Sequence, residues 1–256
     1  MARAAAEGHR VVLVVATDGA LGETDETAYG AKGDALASTR SRELAASARA
    51  LGVARTVELG HADSGSGSEV WPDPPGGRRF VRVPIDEAAS ALADVLVEER
   101  ADVLTTYDPN GGYGHRDHVR VHEVGSRAAE LARERGLDVR VLWATVPRDL
   151  ICRAIDLVAK VYRFPPEFDR SSFDRAFAAK SEITHRIPVR RFAAAKRASM
   201  RAHASQAAAD GGGDRTLGML VRIPRPLYDL VFGREWFVDP DAAPGTAATD
   251  VFEGLA

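Results

Sequence analysis

Cysteine is all but missing from this chain. Cys152 is the only one in 256 residues, so no intrachain disulfide can form and an oxidising compartment gains no support. It sits in the apolar run "DLICRAIDLVAKVY" and reads as a small core residue, not a nucleophile. Long hydrophobic runs are missing too: nothing approaches the ~20 apolar residues of a membrane span. The opening "MARAAAEGHR" carries Arg3, Glu7 and Arg10 and lacks the apolar centre of a signal peptide. A cytoplasmic location is the expectation. A charge excess is absent as well, since 34 Lys and Arg face 37 Asp and Glu for a formal net charge of -3, which gives nucleic acid nothing to hold. The one local basic cluster, Arg191, Lys196, Arg197 and Arg201, reads as a solvated helix face. No internal repeat is visible.

What is present is a strand–helix alternation in a chain that is 45% hydrophobic, enough for a sizeable core. "VVLVVAT" (Val11 to Thr17) is a short β-branched run, expected as a strand buried on both faces. "STRSRELAASARALG" follows as a helix with Leu44, Ala48 and Leu51 on one face, then the strand "ARTVEL". The helix "IDEAASALADVLVEER" leads to the strand "DVLTTYD", and the helix "HVRVHEVGSRAAELARERG" to the strand "VRVLWAT". This rhythm predicts an α/β fold, a Rossmann-like, mostly parallel sheet with helices on both faces. In such sheets ligands meet the carboxyl ends of strands, so the loops after Thr17, Gly60 and Tyr107 are expected on one edge. Beyond Pro147 the pattern loosens into a smaller α+β part: a helix near 149–163, the strand "SEITHRI" and the helix "VRRFAAAKRASMRAHASQ". "GGG" at 211–213 marks a break. Residues 1–239 are expected to form one domain, and 240–256 a flexible tail. The first strand of the β-α-β rhythm is missing, since the chain opens on a helix that feeds a strand.

The densest chemistry lies in "TTYDPNGGYGHRDHVRVH", where three of seven histidines fall within eight residues. Gly111, Gly112 and Gly114 permit positive φ and a sharply folded backbone. Asp117 stands where a helix N-cap is expected. Imidazole is the commonest protein metal ligand near neutral pH and leans on a carboxylate or carbonyl partner when it binds metal. A capped, hydrogen-bonded turn is the plainer reading of an Asp-His pair. The glycine lead-in at a strand's carboxyl end favours a site built on Tyr113, His115 and His118. His122, one turn on, is expected against the sheet with a spare-ligand role as the alternative. His9, His61 and His185 default to surface or core.

At "YDPNGGYGHRDH" the chain resembles the PIG-L/LmbE family of zinc-dependent deacetylases, which act on N-acetylglucosamine-containing molecules. "EGHRVVLVVATDGALGE", "TRSRELAASARALGV", "LGHADSGS", "KRASMRAHASQ" and "GREWF" extend the likeness over most of the chain. The resemblance implies His118 as a zinc ligand and His115 as the group that stabilises the tetrahedral transition state and protonates the leaving amine. It implies Asp117 as the carboxylate orienting His115, and Tyr113 as the polar group near the acetyl carbonyl. It places Arg40, Asp63 and Glu23 on the sugar-containing substrate, where plainer readings are a helix-surface charge, a turn carboxylate and a solvated acid.

Family members begin with a strand ending in Ala-His-Pro-Asp-Asp-Glu, which supplies two ligands and the general base. That segment is not in this sequence. The expectation is Zn2+ (or another divalent metal) in a fuller protein and weak or no binding by this chain. Impaired turnover and poor solubility follow from the same expectation. The substrate is expected to be a small amino-sugar compound, with a mycothiol-conjugate amidase or a non-catalytic glycoside-binding relative as alternatives. A nucleotide site at Gly19 and Gly22 is a weaker rival, because the spacing is not GxGxxG.

Overall fold

The structure is a computed structural model and describes all residues except 30, 161, 164–168, 208–215, 244 and 256. The break expected at 211–213, and part of the stretch after the helix near 149–163, lie outside the described residues.

In chain order the elements are α1 (Ala2–Ala6), β1 (Val12–Thr17), α2 (Glu26–Tyr29), α3 (Asp34–Leu51), β2 (Arg55–His61), α4 (Ile85–Glu99), β3 (Val103–Tyr107), α5 (Gly111–Gly114) and α6 (Arg116–Glu134). Then come β4 (Arg140–Thr145), α7 (Arg148–Val158), β5 (His185–Pro188), α8 (Ala193–Ala202), α9 (Ala204–Ala207), α10 (Thr216–Arg222), α11 (Arg225–Val231) and β6 (Arg234–Val238). They pack as two compact units, Met1–Phe80 with Val189–Gly233, and Val81–Pro188 with Arg234–Ala256. The expected mixed α/β architecture with parallel strand pairs is what forms.

In the first unit β1 and β2 pair in parallel, Val12 opposite Arg55 and Val15 opposite Glu58. The apolar run of β1 is half-buried along its whole length rather than buried on both faces, a departure from expectation. Its only strand neighbour among those described is β2, so one backbone edge carries no ladder. α3 departs too: its buried residues are Leu36, Glu43, Ser47 and Ala48, while Leu44 and Leu51 are half-buried. A polar face turns inward because it has partners there. Glu43 accepts both the amide and the hydroxyl of the fully buried Ser205, each at 2.7 Å, and Ser47 meets Ser199 at 2.7 Å. The long helix expected over 189–206 is broken at His203, where ψ of 57° ends α8 and Ser205 starts a new turn on Glu43. The basic cluster is not simply a solvated face, either: Arg197 donates to the carbonyls of Val221 and Ile223 and lies over the Tyr228 ring.

In the second unit β3 and β4 pair in parallel, β6 runs antiparallel to β4, and β5 closes the order β3-β4-β6-β5. α4 and α6 pack on each other, and their buried residues are Ala88, Ala89, Leu92, Ala93 and Leu96 in α4 and Val124, Gly125, Ala128, Ala129 and Ala132, beside Asp117, in α6. The small residues let the backbones approach closely. Residues beyond 240 are tied along the sheet: Arg186 N donates to Ala248 O, Ala248 N donates to Thr184 O, and Arg140 donates to Val251 O and Glu253 O. Cys152 is half-buried, its thiol 3.9 Å from Phe173 O, rather than a core residue.

Candidate functional site

The histidine loop hangs from the carboxyl end of β3 in the second unit. Its anchor is Asp108, 1% exposed, whose Oδ1 accepts the amides of Asn110 (3.1 Å) and Gly112 (2.9 Å). Its Oδ2 accepts the Thr145 hydroxyl, and Thr145 Oγ1 in turn accepts the amide of Ala178. A second tie runs from Asn110 Nδ2 to Phe177 O and from Phe177 N to Gly112 O. The loop is thus held by a buried carboxylate on one side and by residues 177–178 on the other. Gly111 is obligatory: φ is 63°, and a Cβ there would stand 2.6 Å from the Val119 amide nitrogen. Gly112, at φ 68° and ψ -101°, breaks the short turn of α5 and redirects the chain into α6.

The loop gathers four rings. His118 stacks on Tyr107 with centroids 4.2 Å apart and planes 8° from parallel. Tyr113 meets His118 edge-on at 5.1 Å, and His115 and His118 lie 5.0 Å apart. The Nδ1 of His118 is 3.3 Å from Gly111 O. If Nδ1 donates there, the lone pair falls on Nε2, which is how a carbonyl orients a ligating imidazole. Tyr113 is 61% exposed.

Asp117 is not the N-cap expected for α6. His115 takes that place, its Nδ1 accepting the Asp117 amide at 3.2 Å, while Asp117 is 6% exposed within the first turn. With Nδ1 accepting, a neutral His115 carries its proton on Nε2, the tautomer suited to donating toward a ligand. His122 packs on the sheet as expected: Nδ1 meets Tyr107 O at 3.0 Å, and the ring stands edge-on to Trp143.

The other three candidates, Arg40, Asp63 and Glu23, lie in the first unit, at the loops after β1 and β2. Those two loops do share an edge: Asp18 Oδ1 accepts the amides of Ala20 and Asp63, and Asp63 Oδ2 accepts Leu21 N at 3.4 Å. Asp63, 7% exposed, also takes Gly65 N at 2.8 Å, so it is the loop's own knot. Arg40 is no surface charge. Its guanidinium occupies the space that a side chain at Gly22 would need, with Nη1 2.0 Å from a Cβ built there, and Nη2 donates to Glu23 O at 3.1 Å. Burial pushes its pKa below the usual value, opposed by Asp63, Glu43, Glu23 and Asp18. Its buried Nε finds no hydrogen-bond partner among the described residues. Glu23 is paired with Lys32 at 3.0 Å. The glycines behind the nucleotide alternative are thereby accounted for, because Gly19 and Gly22 make room for Arg40.

Sequence reasoning missed Tyr107, Asp108 and Thr145. Asp108 was open to recognition, because an Asp ahead of Pro-Asn-Gly-Gly is turn chemistry. Thr145 was not, since only the sheet brings it beside Asp108. Among the described residues no three His, Cys, Asp or Glu side chains gather as a metal ion requires. His118 fits the part of one ligand, but the residues present do not make a zinc centre by themselves.

Residues 1–129 match the family model PIG-L, GlcNAc-PI de-N-acetylase. The whole chain is 36% identical to a 1D-myo-inositol 2-acetamido-2-deoxy-alpha-D-glucopyranoside deacetylase of Streptomyces griseus over 284 aligned residues, covering 83% of that protein. It is 33% identical to the protein of the same description from Geodermatophilus obscurus, again over the whole chain and 91% of the relative. Among solved structures, N,N'-diacetylchitobiose deacetylase from Pyrococcus horikoshii superposes with a TM-score of 0.55 at 19% identity, over 95% of this chain and 76% of that one. The zinc-inhibited form of the teicoplanin deacetylase Orf2 gives 0.53 at 17% identity, over 94% and 92%. Likeness of fold, whole-chain identity to named deacetylases and the matched family model converge: this chain belongs to the PIG-L family of de-N-acetylases.

Proposed function

We propose that the protein acts on the N-acetyl group of an N-acetylglucosamine-containing small molecule, with an N-acetylglucosaminyl-inositol as the best-supported substrate. The observation that carries this reading is the ring cluster of Tyr113, His115 and His118 on a loop anchored by Asp108. Whole-chain identity of 33–36% to inositol-amino-sugar deacetylases supports the substrate class.

Amide hydrolysis needs a polarised carbonyl, an attacking water and a proton for the departing amine. His115, with its proton on Nε2, and the exposed Tyr113 hydroxyl are the donors for the developing oxyanion. One such donor contributes ~3–4 kcal/mol. Protonation of the leaving amine by His115 contributes roughly 10²–10⁴-fold. Family deacetylases are metal-dependent. The metal would supply Lewis-acid activation when bound, and His118 is the residue assigned to hold it. Because no three-donor group gathers among the described residues, turnover by this chain is assigned as low.

The test is acetate release from N-acetylglucosaminyl-inositol, with a mycothiol conjugate as the competing substrate. Slow, chelator-sensitive release that falls further in His115→Ala supports the reading. Preference for the conjugate would make the protein an amidase of that class. The lack of a gathered donor set favours one second reading, a glycoside-binding protein without turnover. Saturable glycoside binding indifferent to chelator, with no acetate released at any zinc concentration, would establish it instead.

A further inference from the structure

The second unit carries a basic recess that the deacetylase reading leaves unused. It encloses about 250 Å³ and contains none of the ring-cluster residues. Its charged lining is Lys180, Arg186 and Arg234. The rest is Pro147, Leu150, Ile183 and Trp236.

These residues meet for a topological reason. β5 and β6 are antiparallel, with Arg186 opposite Trp236 and Pro188 opposite Arg234. In a strand alternate residues share a face, so Arg186, Trp236 and Arg234 project from the same side. β6 is also antiparallel to β4, which brings its first residues beside the end of β4 and the start of α7. Lys180 arrives separately, on the segment that bridges Pro147 to Ala178.

The charged lining is of one sign. No lining residue is acidic, and among the described residues none of the three cations makes an ion pair. Two carboxylates stand near Lys180, and both are engaged with backbone: Asp149 Oδ2 accepts Lys180 N at 2.8 Å, and Glu182 Oε2 accepts Ala179 N at 2.5 Å. An anion seated among these three exposed cations would gain charge-assisted contacts. Two guanidinium forks and an ammonium match the three oxygens and near-double charge of a phosphate group better than a single carboxylate. The volume lies just under the ~300–1,000 Å³ of sites for drug-sized ligands, which suits a compact molecule. We propose that this recess is a binding site for the phosphate group of a small soluble phosphate compound, its organic part lying on Trp236 and Ile183. This goes beyond the deacetylase reading and does not depend on it.

Calorimetric titration of the full chain with glycerol 3-phosphate, inorganic phosphate and acetate, at matched ionic strength, tests the site. Saturable binding of a phosphate species, with acetate much weaker, is expected. Tighter binding of the ester marks an ester as the ligand, and equal binding marks the oxyanion alone; both support the site. Arg186→Ala and Arg234→Ala should each weaken binding by roughly tenfold, the loss of one charge-assisted contact, with the circular dichroism spectrum unchanged. Lys160→Ala, an exposed cation of the same unit outside the recess, should leave it intact. Three results overturn the proposal: no saturation, acetate binding as well as phosphate, or equal losses in Lys160→Ala and Arg186→Ala.

Discussion

Asp108 shows how much one buried side chain can govern. It accepts three hydrogen bonds from the loop and from β4. Replacing it with Ala leaves two amides and a hydroxyl without their acceptor, at ~1–3 kcal/mol for each that stays buried. Asp108→Ala should therefore destabilise the protein by about 3 kcal/mol in urea unfolding and weaken amino-sugar binding with it. Asp108→Asn keeps an acceptor oxygen and should cost less. Gly111→Ala should damage the same loop through a clash with the Val119 amide rather than a lost bond. At this scale the sequence was legible where chemistry is local. The glycines, the histidine pair and the turn-forming Asp stand within a dozen residues. The role of Asp117 as a cap was misread because His115, two residues earlier, takes the N-cap place and accepts the amide of Asp117 itself.

At the scale of elements, the inner face of α3 decides how the first unit is held. Hydrophobic spacing pointed to Leu44 and Leu51, yet Glu43 and Ser47 are buried. A helix buries polar groups only where partners wait, and these partners, Ser199 and Ser205, lie over 150 residues away in sequence. Glu43→Ala strands the amide and hydroxyl of Ser205, and a loss of about 2–3 kcal/mol is expected, with 204–207 becoming exchange-labile in hydrogen–deuterium exchange. Glu43→Gln should recover part of it. Arg197 plays the same part between α8 and the chain at 221–223, so Arg197→Met should destabilise by about 2 kcal/mol despite its place in a cluster that looks like surface. The half-exposed apolar β1, with β2 as its one strand neighbour among the described residues, is the element expected to drive concentration-dependent association, measurable by light scattering.

Across the molecule, the buried His185 and the half-buried His203 couple stability to pH. Burial lowers the pKa of His185 below the ordinary 6.5, with Asp239 opposing and Arg140 adding to the shift. Burial likewise lowers that of His203, with Glu43 opposing and Arg40 adding. In each case the unfolded chain takes up a proton at a higher pH than the folded one. Stability is therefore full above about 6.5 and declines as pH falls through that value toward the folded pKa values. The thermal midpoint should drop between pH 7.5 and 5.5, and the drop should be smaller in His185→Gln than in the parent chain.

The strand–helix rhythm and the folded turn of the histidine loop were determined by the sequence alone, because each depends on residues close together in the chain. Periodicity, turn residues and motif spacing are local properties, and local backbone geometry obeys them. Tertiary structure alone decided that Thr145 meets Asp108, that Arg40 fills the space beside Gly22, that Glu43 turns inward and that three cations converge beside Trp236. Those outcomes depend on which distant groups pair once strands and helices pack, and spacing along the chain carries no record of that.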